Sequence, residues 1–341
     1  MSQNRCKYFF FLFFFLAVMF SSARAAEKYA GSSMELGIGA RSLAIGGAAA
    51  GLFGSAEGFV YNPASLGLLK RPVIGLMHAP TFGSLKNPMA NYNWAGFAMP
   101  LPGGAAVSVN WTRFVVDDIP RYPELNGESY ADRYGNLSLR PDGSPTGYFR
   151  DKEDVYYFSF SKVFTANVPL GWLFIDLPVE IPFGVNLKIL RQSLHTASAS
   201  GTGLDLGAMF KTNVGEFLGS RSYGDMAIGF SVLDVTRTSI VWSTRQEDRV
   251  DESYLLGLSY EHHLGLKDAF LRFFWTSHKK YETRQLFGAE VDLHYLALRV
   301  GHNQGGLTAG AGIRLWRFMI DYAFVSLDFD NAHRLSTSIR L

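Results

Sequence analysis

The sequence predicts an all-β transmembrane protein: an antiparallel outer-membrane β-barrel of about 14 strands with an N-terminal hatch in its lumen. Three observations carry the prediction. The N-terminus has the form of an export signal, the remainder alternates with period two and places aromatics on its apolar face, and the strands that can be counted are even in number.

Asn4, Arg5 and Lys7 make a short basic start, residues 8–20 are an apolar block dominated by phenylalanine, and Ala23-Arg24-Ala25 fits a small-x-small cleavage pattern. The expectation is a cleaved signal peptide over residues 1–25, because the block is short against the roughly 20 residues of a spanning helix. The only cysteine, Cys6, leaves with it, so neither disulfide nor thiol chemistry can be argued for the mature chain. Cleavage removes three basic residues (Arg5, Lys7, Arg24) from 32 and no acids from 30, leaving a net charge near −1. That balance excludes a nucleic-acid surface, which needs a basic excess.

Alternation then selects the fold class. Ala106, Ser108, Asn110 and Thr112 oppose Ala105, Val107, Val109 and Trp111. Tyr157, Ser159 and Ser161 oppose Tyr156, Phe158 and Phe160, and Gly288, Glu290 and Asp292 oppose Phe287, Ala289, Val291 and Leu293. A soluble sandwich alternates too, but its outward face is rich in Lys and Glu. Here the apolar face carries aromatics at its ends and the other face is small or mildly polar with scattered charges, as in strands between lipid and a lumen. Tyr254 and Tyr260 lie six residues apart, roughly 20 Å along a strand, which suits two interfacial girdles.

Strands are expected near 72–80, 91–100, 105–114, 154–164, 183–193, 203–213, 225–233, 252–262, 268–277, 284–292, 296–302, 307–315, 318–326 and 334–341. The tightest connections (100–104, 263–267, 292–295, 315–317) fall at alternate positions, as periplasmic turns do when both chain ends face the periplasm. The longest, 115–154, falls on the extracellular side. Residues 165–182 and 214–224 are long for periplasmic turns, which implies one misplaced short strand. The last strand alternates Leu335, Thr337, Ile339 and Leu341 outward. The organisation is therefore a signal peptide 1–25, a hatch 26–71 and a barrel 72–341.

The hatch region carries nine glycines between Gly31 and Gly67. It is not a nucleotide loop: Gly37-Ile38-Gly39 lacks the third glycine and a preceding strand, and no Gly-Lys-Ser/Thr is present. Small side chains let backbone pack on backbone, so a compact plug is expected, with Arg41 held by luminal carboxylates.

The run GARSLAIGGAAAGLFGSAEGFVYNPASLG, with Asn62-Pro63-Ala64 as its most distinctive part, resembles the N-terminal signature of the PorV/PorQ family within the FadL-like group of outer-membrane barrels. The likeness continues in VDDIP (116–120), GTGLDLGAMF (201–210), GAEVDLHYLALRVGHNQGGLTAGAGI (288–313) and MIDYAF (319–324). The resemblance implies a 14-stranded barrel with its hatch folded into the lumen, and named PorV proteins are typically longer, with larger loops.

No chemistry-bearing constellation points to an enzyme, since there is no G-x-S-x-G and no serine that spacing pairs with a histidine. His262 and His263 read as solvated rim residues, and a metal site with Glu261 lacks a third ligand. No cofactor is expected. Lys188, Arg191, Asp205, Lys211, Arg272, Glu290, Asp292, Arg299, Arg314 and Asp321 are expected on the inward face. They would form a salt-bridge network that locks the hatch, or bind a polar head group and gate it. The candidate ligand or hatch residues are Arg41, Asn62, Pro63, Asp205, Glu290, Arg299 and Asp321. The charges of residues 115–154 read as a solvated loop, with a divalent-cation or lipopolysaccharide contact as the sharper alternative.

Two functions follow. One is passive transport of hydrophobic or amphipathic small molecules across the outer membrane, with outer-membrane lipid and such a ligand as partners. The other, implied by the resemblance, is a non-transporting component of type IX secretion that binds cargo or secretion-system subunits.

Overall fold

A computed structural model describes residues 30–122, 144–171, 175–220, 222–266, 268–326 and 331–341. The signal-peptide reading and Cys6 lie outside them. Sixteen strands form one antiparallel sheet. In chain order they are β1 (Val73–Ser84), β2 (Asn87–Leu101), β3 (Ala105–Arg121), β4 (Gly147–Leu170), β5 (Ile175–Leu194), β6 (Ala197–Asn213) and β7 (Tyr223–Leu233). Then come β8 (Ser239–Trp242), β9 (Glu247–Arg249), β10 (Ser253–His263), β11 (Ala269–Lys279), β12 (Thr283–Leu293), β13 (Leu296–Asn303), β14 (Gly306–Leu315), β15 (Phe318–Ser326) and β16 (Asn331–Arg340). Without β8 and β9, fourteen strands close on themselves, with β5 on β6, β7 on β10 and β1 on β16. Val73 pairs with Arg340, so the first strand begins and the last ends at the same rim, called here the terminal end. The opposite rim is the loop end.

Each of the fourteen expected strands is present, and the departures lie at their ends. Residues 165–182 are not a turn: β4 and β5 stay paired from Thr165–Glu180 to Leu170–Ile175. Residues 214–224 hold a short helix, Val214–Leu218, whose first turn is capped by the Asn213 side chain accepting from Glu216 N at 3.2 Å. No strand was misplaced. Towards the loop end β3 and β4 run past the expected limits, so Asp117, Asp118, Asp151, Glu153 and Asp154 sit on strands and not in a solvated loop. Glu124, Glu128, Asp132 and Asp142 fall outside the described residues. The hairpin β8–β9 was not anticipated; it extends the loop end of β6, with Ala199 opposite Trp242 and Gly201 opposite Ile240.

The two faces of the sheet differ as the alternation requires. Outward, Leu76, Phe97, Val109, Phe158, Phe160, Phe183, Leu206, Phe230, Leu256, Phe287, Val300, Ile313, Ile320 and Leu335 are all exposed, a continuous apolar band around the closed sheet. Such a band far exceeds the apolar patches that water tolerates, and it is the surface a bilayer covers. Inward, Ser108, Asn110, Thr112, Ser159 and Ser161 are buried.

What buries them is the chain itself. Residues 31–69 lie against the inward faces of strands around the barrel and contain only short helical pieces: Ala40–Ala44 and 3-10 turns at Ser32–Leu36, Gly58–Val60 and Pro63–Leu68. Ala40, Ala44, Ile45, Ala48, Ala49, Ala50, Phe59, Asn62, Ala64 and Leu66 have no more than 1% of their surface exposed. Wall glycines meet this segment over residues 44–51 and 62–64. A methyl group added to Gly229 would overlap the Ala50 carbonyl, and one on Gly257 the Gly51 backbone. The same holds for Gly288 and Ile45, Gly301 and Gly46, Gly184 and Pro63, Gly207 and the Asn62 side chain, and Gly310 and Ala44. Three of these glycine pairs are direct cross-strand neighbours: Gly184–Gly207, Gly229–Gly257 and Gly288–Gly301.

This packing sets a first expectation. Gly229→Ala and Gly257→Ala will each lower stability by roughly 1–3 kcal/mol through overpacking. Gly147→Ala, with nothing within 4 Å of the new methyl group, will not. The temperature at which the folded, fast-migrating form is lost on unheated gels reads the difference, and equal behaviour of all three variants would refute the packing argument.

Candidate functional site

The segment is held to the wall by single hydrogen bonds spread over many strands. Ser161 Oγ donates to Ala64 O (3.2 Å), Asn186 Nδ2 to Phe59 O (2.8 Å), Ser231 Oγ to Tyr61 O (2.6 Å), Ser259 Oγ to Gly51 O (2.7 Å) and Thr308 Oγ1 to Ala44 O (2.9 Å). In the other direction Ala50 N donates to Thr276 Oγ1 (3.3 Å) and Ala40 N to Ser336 Oγ (3.1 Å). Irregular backbone leaves its polar groups without ladder partners, and burial requires that something supply them. The Ser, Thr and Asn side chains on the inward face do so.

Asn62 and Pro63 sit at the tightest point. The Asn62 side chain is fully buried; its Nδ2 donates to Ala50 O and to Ala208 O on β6, both at 3.1 Å, while its Oδ1 accepts from Ala64 N at 3.1 Å. It therefore caps the 3-10 turn Pro63–Leu68, fixes residues 50 and 62 to each other, and ties both to the wall. Pro63 fills the space that Gly184 and Gly207 leave.

The charges divide into separate groups. Glu290 stands at the centre of the largest, accepting from Arg41 (2.8 and 2.7 Å), Arg299 (2.6 Å) and Arg272 (2.7 Å). Arg299 reaches on to Asp321 (2.6 Å), Arg272 to Glu261 (2.6 Å) and Asp292 (3.1 Å), and Arg314 to Asp292 (3.1 Å). Four guanidinium groups face four carboxylates, so the group is neutral overall, and Arg41 is the one member supplied by the luminal segment. Lys188 lies between Asp205 (2.8 Å) and Asp234 (2.5 Å) on the other side of the barrel, and Asp205 also accepts from Asn186 (3.0 Å). Lys211 bridges Glu180 (2.7 Å) and Asp225 (2.8 Å) beneath the Phe53 ring. Of the seven candidate residues, then, Arg41, Glu290, Arg299 and Asp321 come together, Asn62 and Pro63 form the wall anchor, and Asp205 belongs to the lysine pair.

Arg191 is a correction. It pairs in register with Asp154, whose neighbours Val155 and Tyr157 point inward to the core, so Arg191 points outward and is exposed. Lys188, three residues away, has the opposite parity and is buried. Two residues an odd number apart on an unbroken strand cannot share a face. His262 and His263 meet Tyr223 and Phe270 edge to face, and Glu261 is engaged by Arg272. Among the described residues no group of three His, Cys, Asp or Glu is placed to hold a metal.

Two cavities flank the segment. Near the loop end, about 320 Å³ is lined by Leu36, Leu43, Val60, Leu233, Leu255 and Leu286, with Arg334 among the polar groups. Near the terminal end, about 400 Å³ is lined by Leu52, Phe53, Leu69, Phe270 and Phe274 with Arg41 and Arg272. Arg334 is the residue that sequence reasoning missed. It is 2% exposed, donates to Thr81 Oγ1, and among the described residues faces no carboxylate, while its Nε has no partner. A buried guanidinium without an anion is costly and therefore informative. Parity could have placed it inward, but nothing in the sequence marks it as unpaired.

Some solved structures are similar to the chain. The Pseudomonas putida toluene transporter TodX aligns over 89% of this chain and 97% of its own at 10% identity, TM-score 0.46. The TodX deltaS2S3 mutant monoaromatic hydrocarbon channel aligns over 89% and 99% at 10% identity, TM-score 0.47. The KdgM porin in complex with disordered oligogalacturonate aligns over 79% and 99% at 7% identity, TM-score 0.34. No protein-family model matches the chain, and no curated protein matches it.

Within the segment, Glu57 Oε1 accepts from Ser42 N (3.1 Å) and Oγ (2.7 Å). Burial pushes its carboxyl from the ordinary 4.5 up to about 7. A raised carboxyl contributes stability that is fully present below the unfolded value and is lost as pH rises through the folded one. Relative to Glu57→Gln, which keeps the Ser42 acceptor without the charge, the wild type should therefore lose on the order of 3 kcal/mol between pH 4.5 and pH 7. Denaturant midpoints of both proteins across that range test this, and a constant difference would sink it. Glu290→Gln leaves three guanidinium groups without their shared carboxylate and should cost about 3–5 kcal/mol in the same assay.

Proposed function

We propose that the chain is an outer-membrane conduit for hydrophobic and amphipathic small molecules, with residues 31–69 as its hatch. One observation carries the reading: cavities of about 320 and 400 Å³ open towards opposite ends of the barrel, and the small-residue segment lies between them. The loop-end cavity combines an aliphatic wall with Arg334, a guanidinium that faces no carboxylate among the described residues, apart from the matched charges Lys188, Asp205 and Asp234 that also line it. An elongated apolar molecule with an anionic or strongly accepting head satisfies both, the tail against Leu36, Leu43, Leu233 and Leu286 and the head on Arg334. Passage requires residues 45–51 to leave the wall. The hydrogen bonds involved are neutral, each worth about 0.5–1.5 kcal/mol net, so the hatch is held by many small terms that can be undone in sequence.

The apolar band, the closed even-stranded sheet and the common rim for both chain ends support placement in the outer membrane. The alternative, a PorV-type component of type IX secretion that receives cargo, draws on the sequence resemblance of residues 39–67 and of the later strands.

Uptake into proteoliposomes distinguishes them. The full chain should admit a small amphipathic carboxylate dye and its neutral analogue. Arg334→Leu should slow the carboxylate about tenfold relative to the neutral probe. A full chain that neither binds nor admits either dye, in membranes where crosslinking recovers secretion subunits or cargo, would transfer the assignment to the alternative.

A further inference from the structure

Outside the barrel, the rows of side chains that cross β3, β4 and β5 change character abruptly near the loop end. Counted upward from the middle of the wall, the outward rows read Val107–Phe160–Val185, Val109–Phe158–Leu187, and Trp111–Tyr156–Ile189. The next row is Arg113–Asp154–Arg191, and above it stands Lys152. Two apolar rows, a row with Trp and Tyr, then a row of charges is the order of environments met in leaving the hydrocarbon for the headgroups.

The charged row is also the floor of a groove of about 600 Å³, extended sideways by Ser200 and Val241, which continue the same register onto β6 and β8. The hairpin β8–β9 supplies its far edge. Three cations line it against one carboxylate. Asp154 is consumed by Arg113 (2.7 and 3.1 Å) and Trp111 Nε1 (2.9 Å), and Lys152 stands 3.7 Å from it. The Arg113 guanidinium is fixed over the Trp111 ring at 4.8 Å. Arg191 is exposed and has no partner among the described residues, and the groove keeps an excess of two positive charges. In the lumen, by contrast, Lys188, Lys211 and Arg299 are each matched by carboxylates.

We propose that this groove binds the phosphate of an anionic lipid in the leaflet at the loop end. The acyl chains would lie along Phe158, Phe160 and Leu187, Trp111 and Tyr156 would sit at the glycerol or sugar level, and the phosphate would be held by Arg191 and Lys152 with the Arg113–Asp154 pair as a rigid backing. The site needs the apolar band and does not depend on whether the barrel conducts.

The test uses the full chain purified in non-ionic detergent, with lipid A, phosphatidylcholine and inorganic phosphate as probes in native mass spectrometry. The wild type should retain lipid A through washing and prefer it to phosphatidylcholine. Removing two cations with Lys152→Ser and Arg191→Ser together should reduce retention on the order of tenfold to thirtyfold. Arg317→Ser, at the opposite rim beside Trp316, should leave it unchanged. Arg191 has no partner to lose among the described residues, so Arg191→Ser alone keeps the test open if the double variant fails to run as a folded barrel. Equal retention by wild type and variant, an equal loss in Arg317→Ser, or capture of inorganic phosphate without preference for lipid A would each overturn the assignment.

Discussion

Backbone against backbone is the contact on which this molecule depends. A segment of nearly forty residues with only short helical pieces can fill a fourteen-strand lumen only if its chain comes within van der Waals distance of the wall. That approach requires that side chains be missing where the two chains meet. The wall gives up its side chains at Gly184, Gly207, Gly229, Gly257, Gly288, Gly301 and Gly310, and the segment meets it there with Ala44, Ile45, Gly46, Ala50, Gly51, Asn62 and Pro63. Glycine in a strand interior costs up to about 1 kcal/mol in backbone entropy, so a belt of them is a sacrifice that only close packing on the other side offsets.

The same constraint explains how polarity is distributed. Where backbones touch there is no room for long side chains, so the carbonyls and amides of the segment are satisfied by short hydroxyls and one asparagine from the wall. Charges cluster away from these contacts. Glu290, Arg299, Arg272 and their partners occupy one sector and reach the segment through Arg41 alone, while Lys188 and Lys211 are matched within the wall. These groups are thus nearly neutral sector by sector, whereas Arg334 and Glu57 are buried without an ion-pair partner among the described residues.

How much of this could be read from the sequence follows from what alternation can encode. All fourteen barrel strands were legible because lipid on one side and a lumen on the other force a two-residue period. The signal fades where the alternation breaks: β3 slips register between Val116 and Ile119, so residues 115–121 and the partner stretch 147–153 of β4 read as loop, and β8–β9, four and three residues long, left no trace. Arg41 and Asn62 were recoverable, since an arginine in a small-residue segment must find a carboxylate, and Asn before Pro is a capping arrangement. Glu290 as the hub was not, because its partners on the segment and the wall are 249, 18 and 9 residues away. The wall glycines were equally opaque: each reads as a weak strand residue until the chain packed against it is known. Arg191 was misplaced by one parity step, an error that register corrects at once.

The wall hydroxyls have a consequence for what happens when the segment moves. Ser161, Ser231, Ser259 and Thr308 each donate one hydrogen to a carbonyl, and Thr276 and Ser336 each accept one from an amide. A water molecule can replace either partner without change of charge or geometry. At these positions a wall without the segment would be a ready-wetted surface and not a row of orphaned polar groups. Ion pairs to the wall, Arg41 with Glu290 and Lys280 with Glu35, lie at one end of the segment, where release would leave bare charges behind. The stretch from Ala44 to Ala64 is tied by hydroxyls and amides, bonds that the solvent itself can replace one after another, in the manner of a zip.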